Sequence, residues 1–120
     1  MTTPSSLNSN PWASVIIPIK DERENLSPLM ANLLKVMDSH ELSRSRPYEI
    51  LFVDDGSGDG SSDELDRLAR EHAQVRVFHF DRNYGKTCAL EAGFRQSSGE
   101  IIIQIDGDLQ QDSEDILKLI

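Results

Sequence analysis

The feature of this sequence that most constrains its fold is the alternation of short apolar runs with longer polar or amphipathic segments. Four runs rich in β-branched residues are predicted to be strands: Ala13–Ile19, Tyr48–Val53, Val75–Phe80 and the isoleucine run that begins at Ile101. A helical pattern follows each of them. This order predicts an α/β fold with a mostly parallel sheet joined by βαβ crossovers, in which the exposed pattern of the third run favours an edge position.

The first helical segment has one apolar stripe at helical spacing. Its members are Leu26, Leu29, Met30, Leu33, Leu34 and Met37. Pro28 lacks a backbone N–H, so we expect it in the first turn, after a cap at Asn25 or Ser27. Ser39 to Pro47 is predicted to be a polar loop.

The next two helical segments begin with different signals. Ser61 and Glu64 have the spacing of a capping box, which predicts a short helix carrying Leu65, Leu68 and Ala69. The third segment, from about Thr87 to Gln96, has a face of small residues that would let the helix lie close to the sheet. That face comprises Cys88, Ala89, Ala92 and Gly93.

The segment IIIQIDGDLQQ, from Ile101 to Gln111, joins a predicted strand to polar residues within one step of the chain. Its isoleucines predict a strand that is buried on both faces, as in a parallel sheet. Asp106, Asp108 and Gln110 follow, and their carboxylate and amide oxygens suit a hard cation such as Mg²⁺ or Mn²⁺. The alternative is that the two aspartates cap a turn and the glutamine is only solvated.

Acidic residues follow three of the four predicted strands, at Glu22, at Asp54–Asp55, and at Asp106 and Asp108. The carboxyl ends of parallel strands meet at one edge of a sheet, where ligands bind in open α/β folds. Like charges gathered there repel one another, and a bound cation would offset that repulsion. The alternative is that each acid caps its own loop or helix.

The glycine-rich loop Asp55–Gly60 permits two other interpretations, and both are weak. Asp55, Ser57 and Asp59 have the spacing of calcium ligands, but Asp66 stands where an EF-hand loop has its bidentate glutamate. The loop also lacks the third glycine of a dinucleotide-binding fingerprint, because Ser61 occupies that position. A flexible turn between a strand and a helix is the plain alternative.

Basic and histidine residues give less specific signals. Arg82 and Lys86 flank a predicted helix start, where a helix dipole and cationic side chains favour a phosphate. Two solvated surface cations would give the same pattern. The three histidines show no metal-ligand spacing and are interpreted as structural: His40, His72 and His79.

Composition excludes several classes of function. The 120 residues suffice for one domain, and the net charge of −9 argues against nucleic acid or an anionic membrane surface as a partner. Cys88 is the only cysteine, which excludes a disulfide framework. No apolar run is long enough to cross a membrane, and no signal-peptide pattern is present. Residues 1–12 are predicted to be a disordered leader, and the helical pattern that begins at Ser113 suggests a longer protein.

Four segments together resemble one known family. They read SVIIPIKDERENL, EILFVDDGSGDGS, DRNYGKTCALEAGF and GEIIIQIDGDLQQD, and they cover most of residues 14 to 112 in the order that the family has. The chain resembles the inverting family 2 glycosyltransferases of GT-A fold. It is most similar to the branch that contains dolichol-phosphate mannosyltransferase and bacterial polyprenyl-phosphate glycosyltransferases.

The resemblance implies a role for each matching residue. Pro18 and Glu22 would line the nucleotide pocket, and Asp55 would accept the N–H of the base. Asp106 would lie near the ribose and diphosphate. Asp106 would also bind a divalent metal, together with Asp108 and Gln110. Lys86 and Arg82 would contact the phosphates of the donor or the acceptor.

The resemblance also implies an activity. Residues 13–120 would be the nucleotide-sugar-binding part of a truncated glycosyltransferase domain, with Asp106 and Asp108 as its catalytic acids. The enzyme would use Mg²⁺ or Mn²⁺ to move a sugar from a GDP- or UDP-sugar to a polyprenyl phosphate, on the cytoplasmic face of a membrane. Lys20 and Asp21 stand where the family usually has an aromatic residue and an asparagine, so the choice of base stays open.

Two alternatives remain at this point. Haloacid-dehalogenase-type phosphatases also place an Asp-x-Asp after a strand, but usually with Thr or Val where this chain has Gln110. A nucleotide- or calcium-binding module without catalysis is the second alternative. The sequence gives no information on oligomeric state.

Overall fold

The computed structural model of this chain describes residues 10–105, which form a four-stranded parallel sheet with helices on both faces. The strand order is β3-β2-β1-β4, with β3 at an edge as its alternating sequence predicts. The α/β fold expected from the sequence is confirmed. The elements are β1 (Ala13–Ile19), α1 (Arg23–Ser39), a 3₁₀ turn (Glu41–Arg44), β2 (Glu49–Asp54), α2 (Ser61–Glu71), β3 (Val75–His79), α3 (Lys86–Gln96) and β4 (Ile101–Gln104).

The main hydrophobic core lies between one face of the sheet and helices α1 and α2. Alternate residues of β1 point into it, because side chains of a strand alternate between the two faces. The core includes Val15, Ile17 and Ile19 of β1, together with Leu26 and Leu33 of α1. The amphipathic stripe of the first helical segment therefore has the role that its spacing predicts.

Helix α3 covers the opposite face of the sheet, where it packs against β1 and β2. Ala89 and Gly93 are buried, as expected for a helix that lies close to a sheet. Cys88 is exposed, so its assignment to the inner face is wrong. Successive residues of an α-helix are about 100° apart, so Cys88 points away from the line of closest contact that its neighbour Ala89 shares with Gly93.

Strand β4 does not have the two covered faces that its isoleucines predict. Ile103 is buried, but Ile102 is 46% exposed. The reason is the strand order: β4 pairs with β1 and is the outermost strand among residues 10–105. Helix α3 lies over the central strands and leaves the side chain of Ile102 open.

The N-terminal boundary of the fold also differs from the prediction. Trp12 was expected in the leader, yet it is only 1% exposed and belongs to the core. Its backbone N–H donates to the carbonyl of Pro47 at 2.9 Å, and its indole N–H donates to Ser43 at 3.1 Å. The imidazole of His40 stacks on the indole at 4.4 Å. Residues 1–9 lie outside the described residues.

Helix α1 begins earlier than its apolar stripe predicts. It starts at Arg23, so Pro28 lies beyond the first turn and neither Asn25 nor Ser27 is the cap. Contacts with the loop after β2 explain the early start. The backbone N–H of Arg23 donates to Asp59 at 3.2 Å, which satisfies one of the free donors at the helix N-terminus.

Candidate functional site

The carboxyl ends of the parallel strands bring the loops after β1, β2 and β3 to one edge of the sheet. Backbone hydrogen bonds continue past the strands and fix the start of each loop. The N–H of Asp55 donates to the carbonyl of Ile19 at 2.8 Å, and the N–H of Phe80 donates to the carbonyl of Asp54 at 2.8 Å. The two acids after β2 are therefore held between the loops on either side.

Asp55 is buried at this edge and holds the loop that leads into α3. Its exposed fraction is 4%. One carboxylate oxygen accepts the N–H of Tyr84 at 2.7 Å, and the other accepts the N–H of Gly85 at 3.0 Å. These bonds satisfy two donors that immediately precede α3 and connect the end of β2 to the start of that helix.

The loop after β2 lies so close to the loop after β3 that glycine is required at position 56. A Cβ atom on Gly56 would lie 2.4 Å from the carbonyl carbon of Arg82, and the residue has a φ of +71°. Both features exclude a larger side chain without movement of the backbone. The glycine that the sequence analysis placed in a flexible turn is instead packed against the loop after β3.

Asp54 is the more deeply buried of the two acids, with an exposed fraction of 1%. Its carboxylate accepts the N–H of Ser57 at 3.0 Å, the hydroxyl of Ser62, and a ring nitrogen of His79 at 2.8 Å. Burial alone would raise the pKa of Asp54, but these hydrogen bonds outweigh burial and lower it. Asp54 is therefore an ionised group that fixes the loop rather than a proton donor.

The loops after β1 and β2 are connected by a set of hydrogen bonds that we call the loop clasp. The ammonium group of Lys20 donates to the carbonyl of Gly56 at 2.9 Å. The N–H of Asp21 donates to the hydroxyl of Ser57 at 3.0 Å, and the N–H of Gly58 donates to the Asp21 carboxylate at 2.8 Å. Lys20 and Asp21, where the sequence departs from the family pattern, thus hold the glycine-rich loop.

Asp59 completes the clasp and replaces the capping box predicted for α2. Its carboxylate accepts the N–H of Ser61 at 2.9 Å and that of Arg23 at 3.2 Å, so it serves the N-termini of two helices. The Ser61 hydroxyl also donates to Asp59 and accepts the N–H of Glu22 at 3.1 Å. Glu64 bonds Arg67 and Ser27 instead of capping, so the predicted capping box is wrong.

The other predicted pocket residues lie at the same edge. Pro18 is half-buried and is paired with Val53 in the β1–β2 register. The carboxylate of Glu22 accepts the side-chain amide of Asn25 at 2.6 Å. The edge therefore brings Pro18, Glu22 and Asp55 onto adjacent strand ends, and their contacts with a nucleotide stay a prediction.

The two basic residues predicted to contact phosphate differ in their surroundings. The Arg82 guanidinium donates to the Tyr84 hydroxyl at 3.1 Å and lies 5.2 Å from the centre of that ring. Lys86 is the first residue of α3 and its side chain is exposed. Both lie beside the loop that Asp55 holds.

The predicted metal ligands Asp106, Asp108 and Gln110 lie outside the described residues. The description ends at Ile105, whose N–H donates to the carbonyl of Ile16 at 3.1 Å and so extends the pairing of β4 with β1. Within residues 10–105 no group of three or more His, Cys, Asp or Glu side chains could hold a metal ion. The calcium-loop interpretation of Asp55–Gly60 therefore gains no support.

His79 also lies at this edge, although its sequence context does not indicate a role there. It was interpreted as a structural histidine, but its two ring nitrogens bridge Asp54 at 2.8 Å and Asp66 at 2.7 Å. Burial alone would lower the pKa of His79, whereas the bonds to Asp66 and Asp54 outweigh burial and raise it. His79 shares a face of β3 with Val75 and Val77, which pack in or against the core, but no spacing in the sequence places Asp66 opposite it.

The sequence matches the family model described as "Glycosyl transferase family 2" over residues 14–120. That range includes all of the described strands and helices except Ala13, the first residue of β1. The chain belongs to glycosyl transferase family 2. The family resemblance identified from four sequence segments is confirmed.

Curated relatives of this family 2 chain are named as lipid-phosphate sugar transferases. The undecaprenyl-phosphate 4-deoxy-4-formamido-L-arabinose transferase of Serratia proteamaculans is 39% identical over 108 residues, which are 89% of this chain and 32% of that protein. The Proteus mirabilis protein of the same name is 38% identical, with the same two coverages. The chain spans about a third of the length of these relatives.

Solved structures confirm the GT-A-type α/β fold. The mannosyltransferase PcManGT from Pyrobaculum calidifontis, in complex with GDP-Man and Mn²⁺, has a TM-score of 0.69 and 26% identity, covering 82% of this chain and 28% of that one. S. aureus TarS 1-349 in complex with UDP-GlcNAc has a TM-score of 0.67 and 20% identity, covering 88% and 29%. The second likeness is one of fold alone.

Proposed function

We propose that this chain forms the nucleotide-sugar-binding part of an inverting, metal-dependent glycosyltransferase that transfers a sugar to a polyprenyl phosphate. The observation that carries the proposal is the family 2 match over residues 14–120, on a fold whose strand ends carry the predicted pocket residues. The match favours glycosyl transfer over the phosphatase alternative. The relatives' names support a lipid-phosphate acceptor.

The donor base would bind beside Asp55, with Pro18 and Glu22 lining the pocket. The carboxylate of Asp55 already accepts the backbone N–H groups of Tyr84 and Gly85. A carboxylate has about four acceptor positions, so it can accept the N–H of a base in addition. The bonds to the loop would then hold the carboxylate in place before the nucleotide arrives, which reduces the cost of binding.

Asp106, Asp108 and Gln110 would hold Mg²⁺ or Mn²⁺, and Asp106 would also lie near the ribose and diphosphate. Two carboxylates and an amide oxygen are hard ligands that fit either cation. The presence of Mn²⁺ and GDP-Man in PcManGT supports this choice of metal and donor class. When bound, the metal neutralises charge on the departing nucleotide diphosphate.

Lys86 and Arg82 would contact the phosphates from the start of α3. A polyprenyl phosphate is already an anion near neutral pH, since its second pKa is about 6. Such a nucleophile needs positioning and charge screening rather than a general base. Its attack on the side opposite the leaving group would invert the anomeric centre.

The lipid acceptor would place the protein at the cytoplasmic face of a membrane. No helix in residues 10–105 has the length and apolar character to cross a bilayer. Attachment would therefore involve another part of the protein or the lipid acceptor itself. Sedimentation with vesicles containing a polyprenyl phosphate tests this part of the proposal.

Calorimetry with GDP and UDP, each with and without Mn²⁺, tests donor binding and separates the two bases. We expect one of the two nucleotides to bind more tightly when Mn²⁺ is present. Absence of binding to both would contradict the proposal. Binding without any sugar transfer to a polyprenyl phosphate would instead favour the non-catalytic module.

The Asp108→Asn variant tests the metal role. We expect sugar transfer to fall by about two or more orders of magnitude, because the metal loses a charged ligand. Asp63→Asn is a matched control, since it removes a carboxylate that is exposed on α2. Near-normal transfer by Asp108→Asn would remove Asp108 from the proposed metal site.

A further inference from the structure

His79 is the last residue of β3 and lies where β3, β2 and α2 meet. Its ring connects β3 to both β2 and α2. In the β2–β3 register it is paired with Asp54. One ring nitrogen lies 2.8 Å from the Asp54 carboxylate, and the other lies 2.7 Å from the Asp66 carboxylate of α2. Both nitrogens face acceptors, so the protonated imidazolium satisfies both carboxylates at once.

The buried carboxylate that His79 contacts is itself connected to the nucleotide edge. Asp54 accepts the N–H of Ser57 and the hydroxyl of Ser62, which belong to the glycine-rich loop and the first turn of α2. Its neighbour Asp55 holds the backbone of Tyr84 and Gly85. A short path of hydrogen bonds and one peptide unit therefore connects the imidazole to the loop before α3.

Loss of the proton would leave His79 with a single N–H to share between two carboxylates. Asp54 is 1% exposed and cannot turn to water, whereas the side chain of Asp66 is 48% exposed and can. The remaining N–H therefore stays on the nitrogen that faces Asp54, and the bond to α2 is lost. On α2, Asp63 and Arg70 lie about one turn before and after Asp66, and Glu64 and Arg67 form an ion pair with each other.

We propose that His79 is a positioning residue whose protonated form connects α2 to the Asp54–Asp55 turn and thereby strengthens nucleotide binding at that edge. The inference rests on the proposed function, because it takes this edge as the nucleotide site. It assigns a role to a residue that the nucleotide does not need to touch. Its distinguishing consequence is a nucleotide affinity that depends on the charge of one histidine.

The first test measures the affinity for GDP and UDP with Mn²⁺ between pH 6 and pH 9 in the wild-type protein and in His79→Gln. The glutamine side chain keeps an N–H donor but does not titrate. We expect the ratio of the wild-type affinity to the variant affinity to fall about threefold to tenfold as pH rises. This change corresponds to the net contribution of about one hydrogen bond to the binding free energy. Titration of the nucleotide phosphates is common to both proteins and cancels in the ratio.

His72→Gln is the matched control, because it removes a histidine from the end of α2 without touching the bridge. We expect its pH profile to equal that of the wild-type protein. His79→Ala removes both bonds, and we expect weaker binding at every pH. Equal pH profiles for wild-type and His79→Gln, with nucleotide bound by both, would overturn the inference and leave the proposed function intact.

A second measurement does not need a nucleotide. The amide resonances of Tyr84 and Gly85 report the loop that Asp55 holds, and the ring nitrogen resonances report the protonation of His79. We expect the two amides to shift with the titration of His79 in the wild-type protein and not in His79→Gln. If no nucleotide binds but the amide shifts follow the titration of His79, the proposed function fails, and only the connection from His79 to the loop before α3 stands. If the amide chemical shifts of Tyr84 and Gly85 do not change with the titration of His79, the positioning role fails.

Discussion

Gly93 of α3 lies directly on Ile16 of β1, so closely that a Cβ atom on the glycine would come within 2.4 Å of the Ile16 Cγ2. Ile16 is fully buried. The contact fixes how close α3 sits to the sheet. Asp55 holds the loop before α3. The packing of α3 on β1 therefore also affects the distance between this loop and the sheet.

We expect Gly93→Ala to destabilise the protein, although alanine is the better helix former. The helical gain is about 1 kcal/mol, and overpacking costs about 1–3 kcal/mol, so the net loss should be about 1 kcal/mol. Gly93→Val adds a branched side chain at the same point and should cost more. Urea denaturation measures both losses.

Gly58→Ala is the control for this substitution, because a Cβ at Gly58 would meet nothing within 4 Å. We expect its free energy of unfolding to stay within about 0.5 kcal/mol of the wild-type value. A Gly93→Ala variant that is more stable than the wild type would show that α3 can move away from the sheet at no cost.

Glu49 provides a test of pH dependence at the opposite end of the strands. Its buried carboxylate accepts the Ser14 hydroxyl at 2.5 Å, the Ser98 N–H at 2.7 Å and the Arg76 guanidinium at 3.1 Å. Burial alone would raise the pKa of Glu49, but these hydrogen bonds outweigh burial and lower it. The ionised form therefore stabilises the fold above the unfolded-state pKa, and this stabilisation is lost as pH falls through the lower folded-state pKa.

We expect Glu49→Gln to cost about 1–3 kcal/mol at pH 7, since it weakens a charged acceptor of donors on Ser14, Ser98 and Arg76. The difference between the two proteins should shrink as pH falls below the ordinary glutamate pKa of 4.5. Urea denaturation at pH 7, 5 and 3.5 measures it. Glu91→Gln, at an exposed pair with Arg95, is the control and should change stability by less than about 0.5 kcal/mol. A pH-independent difference between wild type and Glu49→Gln would contradict the assignment.

The strands could be predicted from the sequence because each is a short β-branched run with polar ends. Ala13–Ile19 is placed without error, β2 differs from its prediction by one residue at each end, and β3 differs by one residue at its C-terminal end. The position of Asp55 at the end of a parallel strand also follows from the pattern. These features depend only on the order of residues along the chain.

The errors arise where distant segments meet. Asp59 accepts the N–H of the first residue of both α1 and α2, and the bond to α1 cannot be foreseen from the residues around Asp59. Trp12 looks like part of a polar leader until Pro47 and Ser43 are brought beside it. Ile102 belongs to an isoleucine run that predicts a buried strand, but it is exposed because it lies on the outermost described strand. In each case a tertiary contact overrides the local signal.

Asp21 tests the loop clasp independently of the sheet. It has a φ of +54°, a conformation in which aspartate and asparagine are enriched and β-branched residues are strained. Its side-chain oxygen accepts the N–H of Gly58 at 2.8 Å. We expect Asp21→Asn to stay within about 0.5 kcal/mol of the wild type, because it keeps this acceptor and tolerates the backbone. The family resemblance, in which asparagine is usual here, agrees with that expectation.

Asp21→Val should cost about 2–4 kcal/mol, since it combines a strained backbone with the loss of the acceptor for Gly58. Thermal unfolding of both variants measures the difference between them. If the valine variant were as stable as the asparagine variant, the loop after β1 would be free to change conformation, and the clasp would not hold it.

Asp55 is the residue at which stability and the proposed nucleotide binding can be separated. Asp55→Ala removes the side-chain acceptor of the Tyr84 N–H and one of the two acceptors of the Gly85 N–H, the other being Asn83, at a cost of about 1–3 kcal/mol. Asp55→Asn keeps one carbonyl oxygen and should cost less. Its amide nitrogen, however, cannot accept an N–H, so the variant has fewer positions left for a base.

We therefore expect Asp55→Asn to retain most of the stability and to lose about tenfold or more in affinity for the nucleotide, as measured by calorimetry with Mn²⁺. Asp54→Asn is a useful comparison, because the Asp54 carboxylate is only 1% exposed and accepts hydrogen bonds from Ser57, Ser62 and His79, so this substitution should affect stability more than affinity. If Asp55→Asn bound the nucleotide as tightly as the wild type, Asp55 would serve only to hold the loop before α3, and recognition of the base would involve other residues at this edge.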